Sequence, residues 1–120
     1  MTPARPLMIL VAGPYRSGTD GDPARIAANV EAMTAVSLTL WRRGHLPVMG
    51  EWFALPLIEE AEREGATDAF DEIFHPVAER LLERCDACLR IGGPSEGADR
   101  MVATARRLGK SVFHDIGEVP

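Results

Sequence analysis

Leu7-Met8-Ile9-Leu10-Val11 is an unbroken apolar run, halted at once by Ala12-Gly13-Pro14. A strand with one wet face alternates apolar and polar residues. A run without alternation belongs to a strand covered on both faces, which points to a parallel sheet with helices on either side. Parallel neighbours need crossover connections, so helices must follow. Asp22-Pro23 opens one, with a carboxylate cap ahead of proline at the first helical position. Ile26, Val30, Met33, Ser37, Leu40 and Trp41 then recur at spacings of three and four. Arg42-Arg43-Gly44 closes the segment, with cations at the negative helix end and a residue that accepts the left-handed stop.

The rest of the chain repeats this logic. Residues 45–49 read as a second strand, which Pro47 favours at a sheet edge. Glu51-Trp52-Phe53 is expected in a turn and residues 56–65 in a short helix. Residues 68–84 carry Phe70, Ile73, Phe74, Val77, Leu81 and Leu82 on one helical side, with Pro76 expected to kink or split that helix. Residues 87–91 form a third strand, residues 92–97 a glycine-rich loop, residues 98–108 a helix and residues 111–114 a last strand. The expectation is one α/β domain over residues 1–120, Rossmann-like or flavodoxin-like, its parallel sheet of four to five strands flanked by helices. A length of 120 residues at 46% hydrophobic content suffices for one core without disulfides.

Charge narrows the partners. A net charge of −5 repels a phosphate backbone, so polymeric DNA or RNA is not expected, whereas a single nucleotide needs only a few backbone N–H groups. No apolar run approaches the roughly 20 residues of a membrane helix. Residues 1–6 lead directly into the first strand without a secretory pattern, so a cytoplasmic protein is expected. Cys85 and Cys88 form a lone C-x-x-C where a helix ends and a strand begins, which suits packing better than redox or zinc chemistry. His45, His75 and His114 show no ligand spacing, and neither a metal nor a cofactor is expected.

Ligands of open parallel sheets bind beyond the carboxyl ends of the strands. Two loops lie there. Pro94-Ser95-Glu96-Gly97-Ala98 runs into a helix whose first N–H groups lack internal partners, so it reads either as an anion cradle or as a serine-capped helix start. Gly13-Pro14-Tyr15-Arg16-Ser17-Gly18-Thr19 offers a phenol, a guanidinium and hydroxyls, but matches neither the phosphate loop nor the dinucleotide fingerprint. Trp52 and Phe53 suit a ligand cover, a subunit contact or core packing equally well.

Five short segments carry a resemblance. They are Ala12-Gly13-Pro14-Tyr15 after the first strand, Gly44-His45-Leu46-Pro47-Val48 after the first helix, Cys85-Asp86 before the third strand, Ser95-x-Gly97-Ala98 before a helix, and Leu108-Gly109-Lys110 before the last strand. In this order, over roughly residues 7 to 115, the chain resembles the nucleoside 2-deoxyribosyltransferase-like superfamily, which includes the 2′-deoxynucleoside 5′-phosphate N-hydrolases. The resemblance implies cleavage or transfer of the N-glycosidic bond of a nucleoside or nucleotide. A glutamate in the helix after the serine-glycine loop attacks C1′, in the manner of a retaining glycosidase. An aspartate from the preceding helix assists, the loop serine and N–H groups hold a 5′-phosphate, and the first loop lines the sugar and base.

Carried over residue by residue, Ser95, Gly97 and Ala98 fall on the phosphate side. Gly13, Tyr15 and Arg16 fall on the first loop, with Tyr15 near the reacting sugar. The nucleophile's position, six residues after Ser95, is Met101, which cannot attack as a carboxylate does. The assisting aspartate should lie near residues 76–78, where there is none; Asp71, Glu72 and Glu79 are the nearest acids. Glu51, Glu96 and Asp99 are the candidate substitutes, although Asp99 sits about 200° around the helix from Met101. Two functions follow. One is an active glycosidase or transferase with a relocated carboxylate. The other is a protein that binds a nucleotide or phosphorylated ligand without turning it over. A different Rossmann-like nucleotide binder would use Ser95 but not Tyr15, and a purely structural partner protein would use Trp52 and Phe53. By resemblance a homodimer or higher homo-oligomer is expected.

Overall fold

The computed structural model describes residues 5–120. Residues 1–4, part of the segment read above as leading straight into a strand, lie outside the described residues. The chain runs β1 (Met8–Ala12), α1 (Pro23–Arg42), β2 (Leu46–Val48), α2 (Gly50–Arg63), α3 (Ala69–Arg84), β3 (Ala87–Arg90), α4 (Glu96–Arg107) and β4 (Ser111–Phe113), and a short 3-10 turn (Ile116–Glu118) follows. The four strands pair in parallel in the order β2-β1-β3-β4, an open α/β sheet of the Rossmann or flavodoxin type. Strand β1, fully apolar, and strand β3, apolar up to Arg90, are central, and Pro47 lies on the edge strand β2.

The two-residue period of β1 divides the core. Ile9 and Val11 pack with Met33 and Leu40 of α1 on one face. Leu10 and Ala12 pack with Ala78 and Leu82 of α3 and with Met101 and Ala105 of α4 on the other. α1 starts where its cap demands, the Asp22 carboxylate accepting from the Ala24 N–H at 3.0 Å, and it ends before Gly44 at φ 94°.

Three expectations at helix boundaries are corrected. Glu51, Trp52 and Phe53 are not in a turn but in the first turn of α2, which starts at Gly50 and continues through Pro56. A proline inside a helix costs one N–H bond, and burial of Ala54 and Ile58 against Ala69 and the neighbouring apolar side chains of α3 outweighs that loss. Gly50 allows this start, since a Cβ there would come within 3.1 Å of the Ala78 Cβ. Likewise α3 is one helix through Pro76 rather than two. α4 begins at Glu96, two residues earlier than expected, because Ser95 caps it by accepting the Ala98 N–H at 3.1 Å.

Cys85 and Cys88 are free, buried thiols, pushed up by burial to about 11 and about 12, so neither is a thiolate at neutral pH. His45 is buried and structural, its Nδ1 accepting the Leu7 N–H at 3.0 Å. Among the described residues no helix is long and apolar enough to cross a membrane, and no group of His, Cys, Asp and Glu is placed to hold a metal ion.

Candidate functional site

Adjacent strands β1 and β3 send their following helices to opposite faces of the sheet, so the loops at Gly13 and Gly92 stand at the switch point. The two loops touch. A Cβ on Gly92, at φ +80°, would strike Pro14 Cδ at 2.7 Å, and one on Gly13 would meet the Ile91 carbonyl oxygen at 3.1 Å. This contact closes the crevice directly above the strands. Beside it, between Ala12 and the starts of α2 and α4, lies a cavity of about 40 Å³ lined in part by Glu51, Phe74, His75, Gly97 and Met101. That volume holds a water molecule and no sugar.

Glu51 is the unusual member. Its residue is only 6% exposed, and none of the ion pairs among the described residues includes it. Burial pushes its carboxyl above the usual range, partly opposed by its own backbone N–H. The first turn of α2 is where a helix favours negative charge, which makes the position tolerable. Met101, 5% exposed, shares the cavity.

Tyr15 stands next to this cavity. Its ring stacks on Phe74, a lining residue, at 5.3 Å between centroids, and on Phe70 at 6.0 Å. Burial raises its phenol pKa, and Glu51 is among the charges that add to the rise, so the two groups lie within electrostatic reach. Asn29 of α1 holds the loop by donating to the Tyr15 carbonyl oxygen at 2.9 Å. The Arg16 guanidinium lies 3.7 Å over the Phe70 ring, a cation–π contact on the outer side of the aromatic stack.

The other predicted residues are placed unevenly. Gly97, Ala98 and Met101 line the cavity, and Gly13 is committed to the loop contact. The Ser95 hydroxyl caps α4, while the first-turn amides beyond it keep no partner inside the helix. Glu96 is exposed outside the cavity. Asp99 is also exposed and turned away, held by Arg90 at 3.1 Å. Trp52 and Phe53 are exposed, which removes the core-packing reading for both.

His75 was set aside in the sequence reading for lack of ligand spacing. Its ring lines the cavity, and its Nδ1 is buried without a hydrogen-bond partner. Burial, then the charge of Arg100, lowers its pKa, so it is neutral at pH 7. The signal was adjacent. The assisting group was sought as a carboxylate at residues 76–78, and an imidazole stands one position earlier.

A larger hollow, about 470 Å³, opens on the far side of α4 and includes Arg90, Asp99, Arg106 and His114. Its charges are satisfied. Arg90 donates to Asp99, to the Ile91 carbonyl and to the Gly93 carbonyl, and Arg106 contacts His114 Nε2 at 3.3 Å.

The cavity beside Tyr15 therefore combines a desolvated carboxyl group, a neutral imidazole, space for one water and the positive end of a helix. No protein-family model matches the chain, and no curated protein matches it.

Proposed function

We propose that the protein cleaves or transfers the N-glycosidic bond of a nucleoside or nucleotide, with Glu51 taking the part that the resemblance gives to a glutamate at position 101. The observation that carries this reading is Glu51 itself, a carboxyl group buried without a counter-cation in the cavity that also holds Met101 and adjoins Tyr15. Burying a carboxyl costs stability unless something is gained from it, and such groups concentrate at functional sites. In a cavity largely shielded from solvent a carboxylate strongly stabilises an oxocarbenium-like sugar and attacks it from one face. The start of α4 offers first-turn amides to a 5′-phosphate. Because the cavity is of water size, the sugar enters with the Tyr15 loop lifted from Phe70 and Phe74.

The test is incubation with a panel of nucleosides and nucleoside 5′-monophosphates, with free base followed by chromatography. Base release by the wild type and its loss in Glu51→Gln are expected. A second reading is favoured by Met101, an inert side chain in the same cavity: the protein binds such a ligand without turnover. Saturable binding with no base released would select it, and absence of binding across the panel removes both. Trp41, Leu46, Trp52, Phe53 and Leu57 are exposed, which supports a homo-oligomer; sedimentation at monomer mass would remove that part.

A further inference from the structure

We infer that the ring of Phe70 is the platform on which the ligand's nucleobase stacks, and that the Arg16 guanidinium now lies in the base's place. The inference rests on the function proposed above and holds under both of its readings, turnover or binding alone. Arg16 Cζ is 3.7 Å from the centre of the Phe70 ring, in van der Waals contact with its face. A guanidinium is flat and delocalised, and it covers an aromatic face as a base does. Arg16 is exposed, and none of the ion pairs among the described residues includes it. An exposed cation–π contact contributes little, so this cover yields to a ligand that offers a larger flat face.

The platform stands beside the reacting centre. Phe70 is half-buried and stacks on Phe74 at 4.6 Å between centroids, with 20° between the planes. The two rings are one turn apart on α3, so the helix fixes their spacing. Phe74 also lines the cavity that holds Glu51. A nucleobase is bonded directly to the C1′ that Glu51 would attack, so it must lie next to that cavity. Tyr15 lies on the same stack, 13° from the plane of Phe70 and 28° from that of Phe74. It belongs to the loop that lifts to admit the sugar, and Arg16 is the next residue. One motion of this loop uncovers Phe70.

Charge sorts the two ends of the ligand. Asp71 and Glu72 follow Phe70 in the chain and are exposed in the first turn of α3. They repel a phosphate from this end, while the amides at the start of α4 attract it. A neutral base is the part of the ligand that Phe70 can take.

Calorimetric titration of wild type and Phe70→Leu tests this. The probes are the carbocyclic 2′-deoxynucleoside 5′-monophosphates of adenine, guanine, cytosine and thymine, in which carbon replaces the sugar ring oxygen so that no base is released. A further probe, 2-deoxyribose 5-phosphate, has no base. Phe70→Leu should weaken the tightest nucleotide by about 10- to 100-fold and leave 2-deoxyribose 5-phosphate within about twofold of wild type. An equal loss for both kinds of probe, or no loss for either, overturns this inference alone. A wild type that binds none of the nucleotides overturns the proposed function and this platform with it. NMR of the wild type with carbon-13-labelled phenylalanine needs no variant. Cross-relaxation between protons of the bound base and the Phe70 ring is expected, and its absence while the nucleotide is bound overturns the inference.

Discussion

Two hollows flank α4, and they are built on opposite principles. The larger one is open and full of charge, yet nearly every charge is answered: Arg90 by Asp99 and two carbonyl groups, Arg106 by His114. The smaller one is tight and contains two ionisable groups without an ion-pair partner among the described residues, Glu51 and His75. Size and charge count favour the first as a site, and desolvation favours the second. An exposed, paired charge contributes little energy and is easily replaced by water. A buried, unpaired one is expensive, and it is the feature that stability alone does not account for.

Substitutions across α4 break or sharpen this contrast. Glu51→Gln should have the largest effect, lowering base release by about 10⁴-fold, the scale of losing a catalytic nucleophile. Its effect on stability should run the other way. The folded-state pKa of Glu51 is raised, so the folded protein binds the extra proton more tightly than the unfolded chain. That contribution is complete below the ordinary glutamate value and is lost as pH rises through the raised one. Thermal melts should therefore show Glu51→Gln above wild type at pH 8 and close to it at pH 4. A variant that melts lower at both pH values would mean that the carboxylate is structurally satisfied.

Met101→Glu comes next. It sets a second carboxylate in the same small cavity and removes a buried side chain, for a loss of about 3 kcal/mol at pH 7. Urea titrations should show part of that loss recovered near pH 4, when the pair carries protons. Equal losses at both pH values would place the new carboxylate in solvent.

Ser95→Ala removes the cap of α4 and should cost about 1 kcal/mol, a few degrees in Tm. By the proposed function it should also weaken a 5′-monophosphate more than the parent nucleoside, which calorimetry resolves. Asp99→Asn is the smallest change. Breaking its exposed pair with Arg90 should cost between about 0 and 1 kcal/mol and leave base release within about twofold of wild type. A collapse of activity there would erase the distinction between the two hollows.

The helix boundaries show where sequence reasoning stopped. Asp22-Pro23 and Gly44 bracket α1 correctly because caps and stops are local events, decided by one side chain and a few amides. Pro56, Pro76 and Gly97 misled for the same reason: as local signals they argue against helix, and each lies inside one. Their cost is met by contacts far away in sequence, the α2–α3 interface for the two prolines and His75 against Gly97.

The candidate site divides along the same line. Tyr15, Gly97, Ala98 and Met101 were all legible as neighbours of one crevice, because loops at the carboxyl ends of parallel strands must meet there. Of the acids near it, Asp99 could be set apart by its place on the helix, but Glu51 and Glu96 could not be told apart. A misplaced turn hid the start of α2, and the one-residue offset hid His75.

Residue order alone determined the parallel sheet, its helical crossovers and the meeting of the loops after the first and third strands, since apolar period, caps and glycines act over a few residues. Which carboxyl group loses its water, and which imidazole shares its cavity, was decided only when α2, α3 and α4 closed around the carboxyl end of β1. Desolvation is a property of the whole packed neighbourhood, and no stretch of chain encodes it by itself.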